Sequence, residues 1–134
     1  MRWMLDTDTC IAVINRQPER AIKKLRGKSI GQVGVSSVTV GELSFGAEAS
    51  ASPEQNREAL GEFLLPLEIS SYDELCAGQY GLVRARLKKK GRSIGSLDAL
   101  IAAHALALDV VLVTRNTKEL ARVEGLRLED WLKN

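Results

Sequence analysis

Apolar and polar residues fall into short blocks along this chain, and the blocks alternate between two periods. Trp3 to Leu5 is an apolar run that stops at Asp6. It predicts a strand, followed by a helix from about Thr9 to Asn15 and a second from about Pro18 to Leu25, with Pro18 at its first position. Val33 to Val35 predicts a second strand. Ser36 or Ser37 is placed to cap the next helix, which carries Val40, Glu42 and Leu43. Ser52-Pro53-Glu54-Gln55 has the form of a capping box, opening a helix that presents Leu60, Phe63 and Leu64. Pro66 ends it, and Leu67 to Ile69 predicts a third strand. A long helix from about Tyr72 to Lys90 stops at Gly91. Gly95-Ser96 opens another, with Leu97, Leu100, Ile101, His104 and Leu108 along one face. Val110 to Val113 is the clearest strand, and Leu126 to Leu128 offers a last short one. Strands alternating with helices predict an α/β fold around a parallel sheet.

The 134 residues fit one domain spanning 1–134. A hydrophobic content of 45% fills a core and excludes a disordered chain. The net charge of +2 does not by itself draw the protein to nucleic acid, so such a surface has to come from local clustering. Arg84, Arg86, Lys88 and Arg92 form the densest basic run, open to phosphate contact, to a partner, or to solvent alone. Aromatic residues make up only 4%, which argues against base-stacking platforms. The two cysteines, Cys10 and Cys76, form no Cys-x-x-Cys, and His104 is the single histidine, so neither zinc nor a disulfide framework is expected. Cys76 shares an apolar stripe with Tyr80, Val83 and Leu87, and His104 is expected as a packed, hydrogen-bonded core residue. The first residues turn polar too early for a signal peptide, and no apolar run approaches a membrane span, so the expected setting is the cytoplasm.

In open parallel sheets ligands bind at the carboxyl ends of strands. Asp6 and Asp8 follow the first strand, and Thr114 and Asn116 follow Val110 to Val113. Glu42 and Asp98 are expected in the first turns of helices preceded by serines, which open on the same edge. Carboxylates gathered in this way repel unless a cation joins them. A hard divalent ion with oxygen ligands, activating water against a phosphodiester, is the chemistry such a set supports. Each residue also has a plainer role: Asp6 as a helix cap, Glu42 as an exposed acid, Asp98 at a helix dipole, Asn116 as the cap of a short turn.

The same residues resemble the PIN-domain ribonucleases of the VapC type, the toxin half of toxin–antitoxin pairs. Leu5-Asp6-Thr7-Asp8 resembles the family's opening, and Ser36-Ser37-Val38-Thr39-Val40-Gly41-Glu42-Leu43 its second motif. Tyr80-Gly81 with Arg84 to Leu87 resembles its long basic helix. Ile94-Gly95-Ser96-Leu97-Asp98 with Ile101 to Ala105, Leu112-Val113-Thr114-Arg115-Asn116, and Gly125-Leu126 with Glu129 and Trp131 complete six motifs in order. The resemblance implies a parallel sheet between helices and an RNA substrate. It implies Asp6 and Asp98 as direct Mg2+ or Mn2+ ligands, Glu42 completing the set, and Thr114 orienting a carboxylate. It also implies a homodimer, or a hetero-oligomer with a small antitoxin protein. The chain departs from the family at Asn116, where a fourth acid is frequent, and at Ser96, where proline is. Three rivals stand beside it: a haloacid-dehalogenase-like phosphatase using Asp6 and Asp8, a receiver-like signalling domain, and a catalytically silent PIN-like binding module.

Overall fold

A computed structural model describes residues 1–133. In chain order the elements are β1 (Trp3–Leu5), α1 (Thr7–Asn15), α2 (Glu19–Arg26), β2 (Val33–Ser36), α3 (Ser37–Glu48), α4 (Pro53–Leu64), β3 (Glu68–Ser70), α5 (Glu74–Lys89), α6 (Ser96–Leu108), β4 (Val111–Val113), α7 (Thr117–Leu120) and β5 (Leu128–Glu129). The five strands make one sheet in the order β3-β2-β1-β4-β5, and every pairing is parallel. Successive strand residues point to opposite faces, and the core divides accordingly. Met4 and Leu112 join Val83, Leu87, Ile101, Ala102, Ala105 and Leu120 on one face, under α5, α6 and α7. Leu5, Val33, Val35 and Val113 join Cys10, Leu43, Leu60 and Trp131 on the other, under α1, α3 and α4. Each fully buried apolar side chain contributes roughly 1.5–3 kcal/mol, so the central strands are held from both sides. This is the expected three-layer α/β/α arrangement. No helix is long and apolar enough to cross a membrane among the described residues.

Several expected boundaries move for local reasons. α1 starts at Thr7 because Asp6 itself is the cap, its Oδ1 accepting from the Thr9 amide at 2.9 Å. Pro18 is the residue before α2 rather than its first. Ser52 precedes α4 with φ −133 and ψ 70 and makes no side-chain capping bond, so the capping box does not form; Pro53 takes the first helical position. α5 begins at Glu74, capped by Asp73, whose Oδ1 accepts from the Cys76 amide at 3.1 Å. The third and last strands each lie one or two residues later than expected. The buried side of α6 is built from Ala99, Ile101, Ala102, Ala103, His104 and Ala105, while Leu108 is exposed. Small residues let α6 pack closely and leave no leucine stripe.

His104 is fully buried, as expected, and hydrogen-bonded at both ring nitrogens. Nδ1 lies 2.8 Å from Ser36 Oγ and Nε2 lies 3.1 Å from Ser70 Oγ. Ser36 ends β2 and caps α3, accepting from the Val38 amide at 3.1 Å, and Ser70 ends β3. Tyr72 stacks edge-on against the imidazole at 5.3 Å. One neutral ring thus ties α6 to two strand ends. Burial pushes its pKa below the ordinary value, partly countered by Asp73. In the unfolded chain imidazole titrates near 6.5. Below that pH the unfolded state takes up a proton that the fold resists, so stability falls as pH drops through this range and is constant above it. Urea unfolding of wild type and His104→Gln between pH 7.5 and 5 is the measurement. The variant loses stability at pH 7.5 by about 1–3 kcal/mol, and the wild type shows a steeper decline toward pH 5, by at most about 1.4 kcal/mol per pH unit. Parallel pH profiles would contradict the neutral assignment.

Candidate active site

β1 and β4 are neighbours, and the two residues that leave their carboxyl ends are Asp6 and Thr114. Asp6 is 9% exposed and Thr114 fully buried. Burial pushes the Asp6 carboxyl above its ordinary pKa; the Thr114 hydroxyl and the Thr9 amide and hydroxyl work against this, and Asp8 adds to it. Thr114 Oγ1 also accepts from the Asn116 amide at 3.0 Å, which shapes the turn after β4. Thr9 Oγ1 donates to the Val113 carbonyl at 3.2 Å and binds the start of α1 to β4. One turn of hydrogen bonds therefore fixes both strand exits together.

Asp98 stands in the first turn of α6, as expected, although the residue before that helix is Gly95, which offers no side-chain cap. Asp98 is half-buried. Its carboxyl is pushed up first by burial and then by Glu119, Asp6 and Asp8, while a hydrogen bond from Asn116 opposes the rise. These couplings show that the acids leaving β1 and opening α6 and α7 share one edge. Asn116 is the joint. Its Nδ2 donates to Asp98 Oδ2 at 3.0 Å and to Glu119 Oε2 at 2.6 Å. Glu119 also accepts from the Gly95 amide at 3.1 Å, and the Asn116 bond, more than any other contact, holds its carboxyl below the ordinary value.

The expected set is therefore brought together in part. Asp6, Asp98, Thr114 and Asn116 converge. Glu42 lies in the second turn of α3, not the first: with Ser36 as the cap and Ser37 the first helical residue, it stands past the end of the first turn. It is exposed, where α3 faces Ile11 of α1 and Asn56 of α4. Asn116 caps no helix with its side chain. It is a bridge between two carboxylates, a role that neither the ligand nor the turn reading includes. Glu119 was missed: it lies on the one-turn α7, and the only signal in the sequence is its position three residues after Asn116. The basic run also divides. Arg84 and Lys88 line one cleft with Tyr80, Arg86 lines a separate notch with Lys90, and Arg92 lines neither.

The donor set is all oxygen, and the Asp6 and Asp98 carboxyls have raised proton affinity. That fits a hard divalent cation, which keeps several waters and takes one or two protein carboxylates. Among the described residues no three acidic, histidine or cysteine side chains stand close enough to make a finished cage. Asp6 and Asp98 are the residues with the burial and mutual coupling to act as ligands, and Glu119 is held beside them.

Parallel sheet and acidic edge define a small α/β domain with an oxygen-donor site outside the carboxyl ends of its central strands. The chain belongs to the PIN domain family, whose model matches residues 3–126. A Salmonella typhimurium relative named tRNA(fMet)-specific endonuclease VapC is 40% identical over 98% of both chains. A Haemophilus influenzae relative named Ribonuclease VapC2 is 40% identical over 98% of this chain and 99% of its own. Among solved structures, the DNA-bound VapBC from Salmonella typhimurium superposes with a TM-score of 0.92 at 40% identity, covering 98% of each chain. VapBC2 from Rickettsia felis, bound to a promoter DNA fragment, superposes with 0.89 at 38% identity, covering 98% of this chain and 99% of that one. The resemblance drawn from the six motifs holds.

The bridging amide generates a test. Asn116→Asp replaces two donated hydrogen bonds with a further carboxylate between two others. In metal-free protein at pH 7 it should cost about 1–3 kcal/mol of stability, and the deficit should shrink as pH falls and the carboxyls protonate. Urea unfolding in EDTA at pH 7 and pH 4.5 measures both. An unchanged stability at pH 7 would show that the bridge carries no weight.

Proposed function

We propose that this chain is a metal-dependent endoribonuclease acting as the toxin of a toxin–antitoxin pair, with its active site at the edge formed by Asp6, Asp98 and Glu119. The observation that carries the reading is the joining of these acids through Asn116 at the exits of β1 and β4, in a chain 40% identical to proteins named as VapC ribonucleases. Asp6 and Asp98 hold Mg2+ or Mn2+, with Thr114 orienting Asp6. Bound there, the cation activates water and offsets charge developing on the phosphodiester. Glu42, exposed on α3 and outside the converging acids, is assigned only an outer role, reaching the cation through water. Glu119, kept ionised by Asn116, supplies the fourth carboxylate that position 116 itself lacks.

Membership in the PIN family removes the support for the phosphatase and receiver readings. The silent binding module remains the rival, and the intact acids weigh against it. Purified protein should cleave RNA with Mg2+ or Mn2+ and stop with EDTA. Asp6→Ala and Asp98→Ala should each lower the rate at least about 100-fold, since each removes a ligand from the main electrostatic device. Independently of activity, saturating Mn2+ should raise the wild-type melting temperature, with about 2.7 kcal/mol gained at a hundred times Kd, and leave Asp98→Asn unchanged. Full activity in either alanine variant would remove that residue from the site.

The partner is a small antitoxin protein. A cleft of about 450 Å³ between α1, α2 and α4 has an apolar floor that includes Ile22, Leu25 and Phe63 and a rim carrying Arg16, Arg26 and Lys28. That suits an amphipathic segment with apolar anchors and acidic flanks. Leu75 and Leu82, seven residues apart on exposed α5, offer apolar surface for a second copy of the chain. Expression should arrest growth, and co-expressed antitoxin should relieve the arrest. Ile30 is 91% exposed at the cleft mouth. Ile22→Glu with Ile30→Glu should abolish relief and co-purification while RNA cleavage continues. Retained co-purification would place the antitoxin elsewhere.

A further inference from the structure

An acidic edge repels the polyanion it is proposed to cut, so cationic contacts with the strand have to come from elsewhere on the surface. One cleft has the chemistry for it. Tyr80, Arg84 and Lys88 are spaced four residues apart and share one face of α5. With Ser93 and Ser96 opposite, they line a cleft of about 510 Å³, within the size range that accommodates a nucleotide. No carboxylate lines it, and neither Arg84 nor Lys88 pairs with an acid among the described residues. Arg84 is already oriented: its guanidinium sits 5.6 Å over the Tyr80 ring and its Nη1 donates to the Tyr80 hydroxyl at 3.2 Å. A guanidinium has five N–H donors, so most remain for a ligand.

The cleft is mechanically joined to the acids. Its far wall, the loop from Ser93 to Gly95, is tied from behind by Arg122, which donates to the Ser93 carbonyl at 3.2 Å, and by Glu119, which accepts from the Gly95 amide. Ser96 and Ala99 face the cleft from one side of α6. Asp98, at about 100° per residue, points from a different side of that helix. The cleft therefore opens on a different side of α6 from the Asp98 carboxylate. Separated from the acids by the body of that helix, it suits a phosphate next to the scissile one rather than the scissile phosphate itself.

We propose that the cleft of Tyr80, Arg84, Lys88, Ser93 and Ser96 is a subsite for a backbone phosphate of the RNA flanking the bond that is cut. Arg84 supplies a forked donor, Lys88 a point charge, and the two serines hydroxyl donors, none of which distinguishes one base from another. The site thus contributes affinity and register rather than sequence choice. It rests on the reading of the acidic edge as a ribonuclease site.

The test uses the full chain and a short single-stranded RNA oligonucleotide, with binding followed by fluorescence anisotropy in EDTA so that no cleavage occurs. Arg84→Ala with Lys88→Ala should weaken binding at least tenfold and reduce the slope of log affinity against log salt by about 1.4, two contacts at roughly 0.7 each. Lys89→Ala with Lys90→Ala removes the same charge from the end of the same helix, outside the cleft, and should change affinity less than twofold. Equal losses in the two pairs would mean diffuse attraction and overturn the proposal, as would an unchanged slope in the first pair. Loss of antitoxin binding with RNA binding intact would assign the cleft to the protein partner and overturn it too. A wild type that never cleaves RNA but shows the slope difference would sink the nuclease reading and leave the subsite standing. Cleavage without the slope difference would do the reverse.

Discussion

Repulsion between like charges is the constraint around which this molecule is organised. Asp6, Asp8, Asp98 and Glu119 act on one another at a single edge, and burial further raises the energy of the charged forms of Asp6 and Asp98. Left alone, carboxylates so placed would turn away from each other or protonate. Three devices keep them in place. The Thr9 amide at the start of α1 and the Thr114 hydroxyl hold Asp6. Asn116 uses both hydrogens of one amide to link Asp98 and Glu119. The apolar clusters on the two faces of the sheet supply the stability against which this arrangement costs.

The strand order turns that constraint into a position. From β1 the chain winds one way to β2 and β3, and later returns to the other side of β1 as β4 and β5. The connections therefore leave β1 and β4 in opposite directions and open a crevice outside their carboxyl ends. Asp6 and Thr114 stand at that opening because each is the first residue after its strand. Leu5 and Val113, paired in register, anchor the two exits in the same core cluster. At the far side, the tail is closed by Glu129, whose carboxylate accepts from the indoles of Trp3 and Trp131 at 3.1 Å each. That clasp secures β5 beside β4 without entering the acidic edge.

Much of this was legible in the sequence, and what was not has identifiable causes. Apolar runs that stop at polar residues, Asp6 after one and Thr114 after the other, marked β1 and β4, and Asp98 followed a clear helix start. These features are local: a strand, a stop, a polar residue. Glu119 is not local. α7 is one turn long and carries no period, and the residue matters only because the Asn116 side-chain Nδ2, on a turn whose backbone N–H is held by Thr114, donates to it. Glu42 was placed a turn too early: the capping serine is where it was expected, but the distance from Ser37 to Glu42 exceeds the 3.6 residues of one turn. α6 was read with Leu97, Leu100, Ile101, His104 and Leu108 on its inner face, yet of these only Ile101 and His104 are buried and alanines supply the rest, since a closely packed helix needs small residues more than a large apolar face. Ser52 had the right neighbours for a capping box but the wrong backbone angles to use them.

The acidic edge and the basic helix α5 are two halves of one electrostatic problem. Concentrated negative charge attracts a divalent cation and repels the RNA the cation is meant to meet. A net charge of +2 over the chain is too small to overcome this at long range, so the counterweight has to be near and aimed. The loop between α5 and α6 is where the two requirements touch: Glu119 holds it by Gly95 on the acidic side, and the same loop presents Ser93 to the cationic side. Asn116 sits at the end of that chain of contacts. An amide there lets two carboxylates stay close without a third charge. It therefore limits both the repulsion felt by the strand and the strain stored before any cation arrives. A carboxylate in its place would add attraction for metal and remove the bridge that sets the loop. The choice of residue at 116 thus acts on the cation site and on the wall of the basic cleft through a single pair of hydrogen bonds.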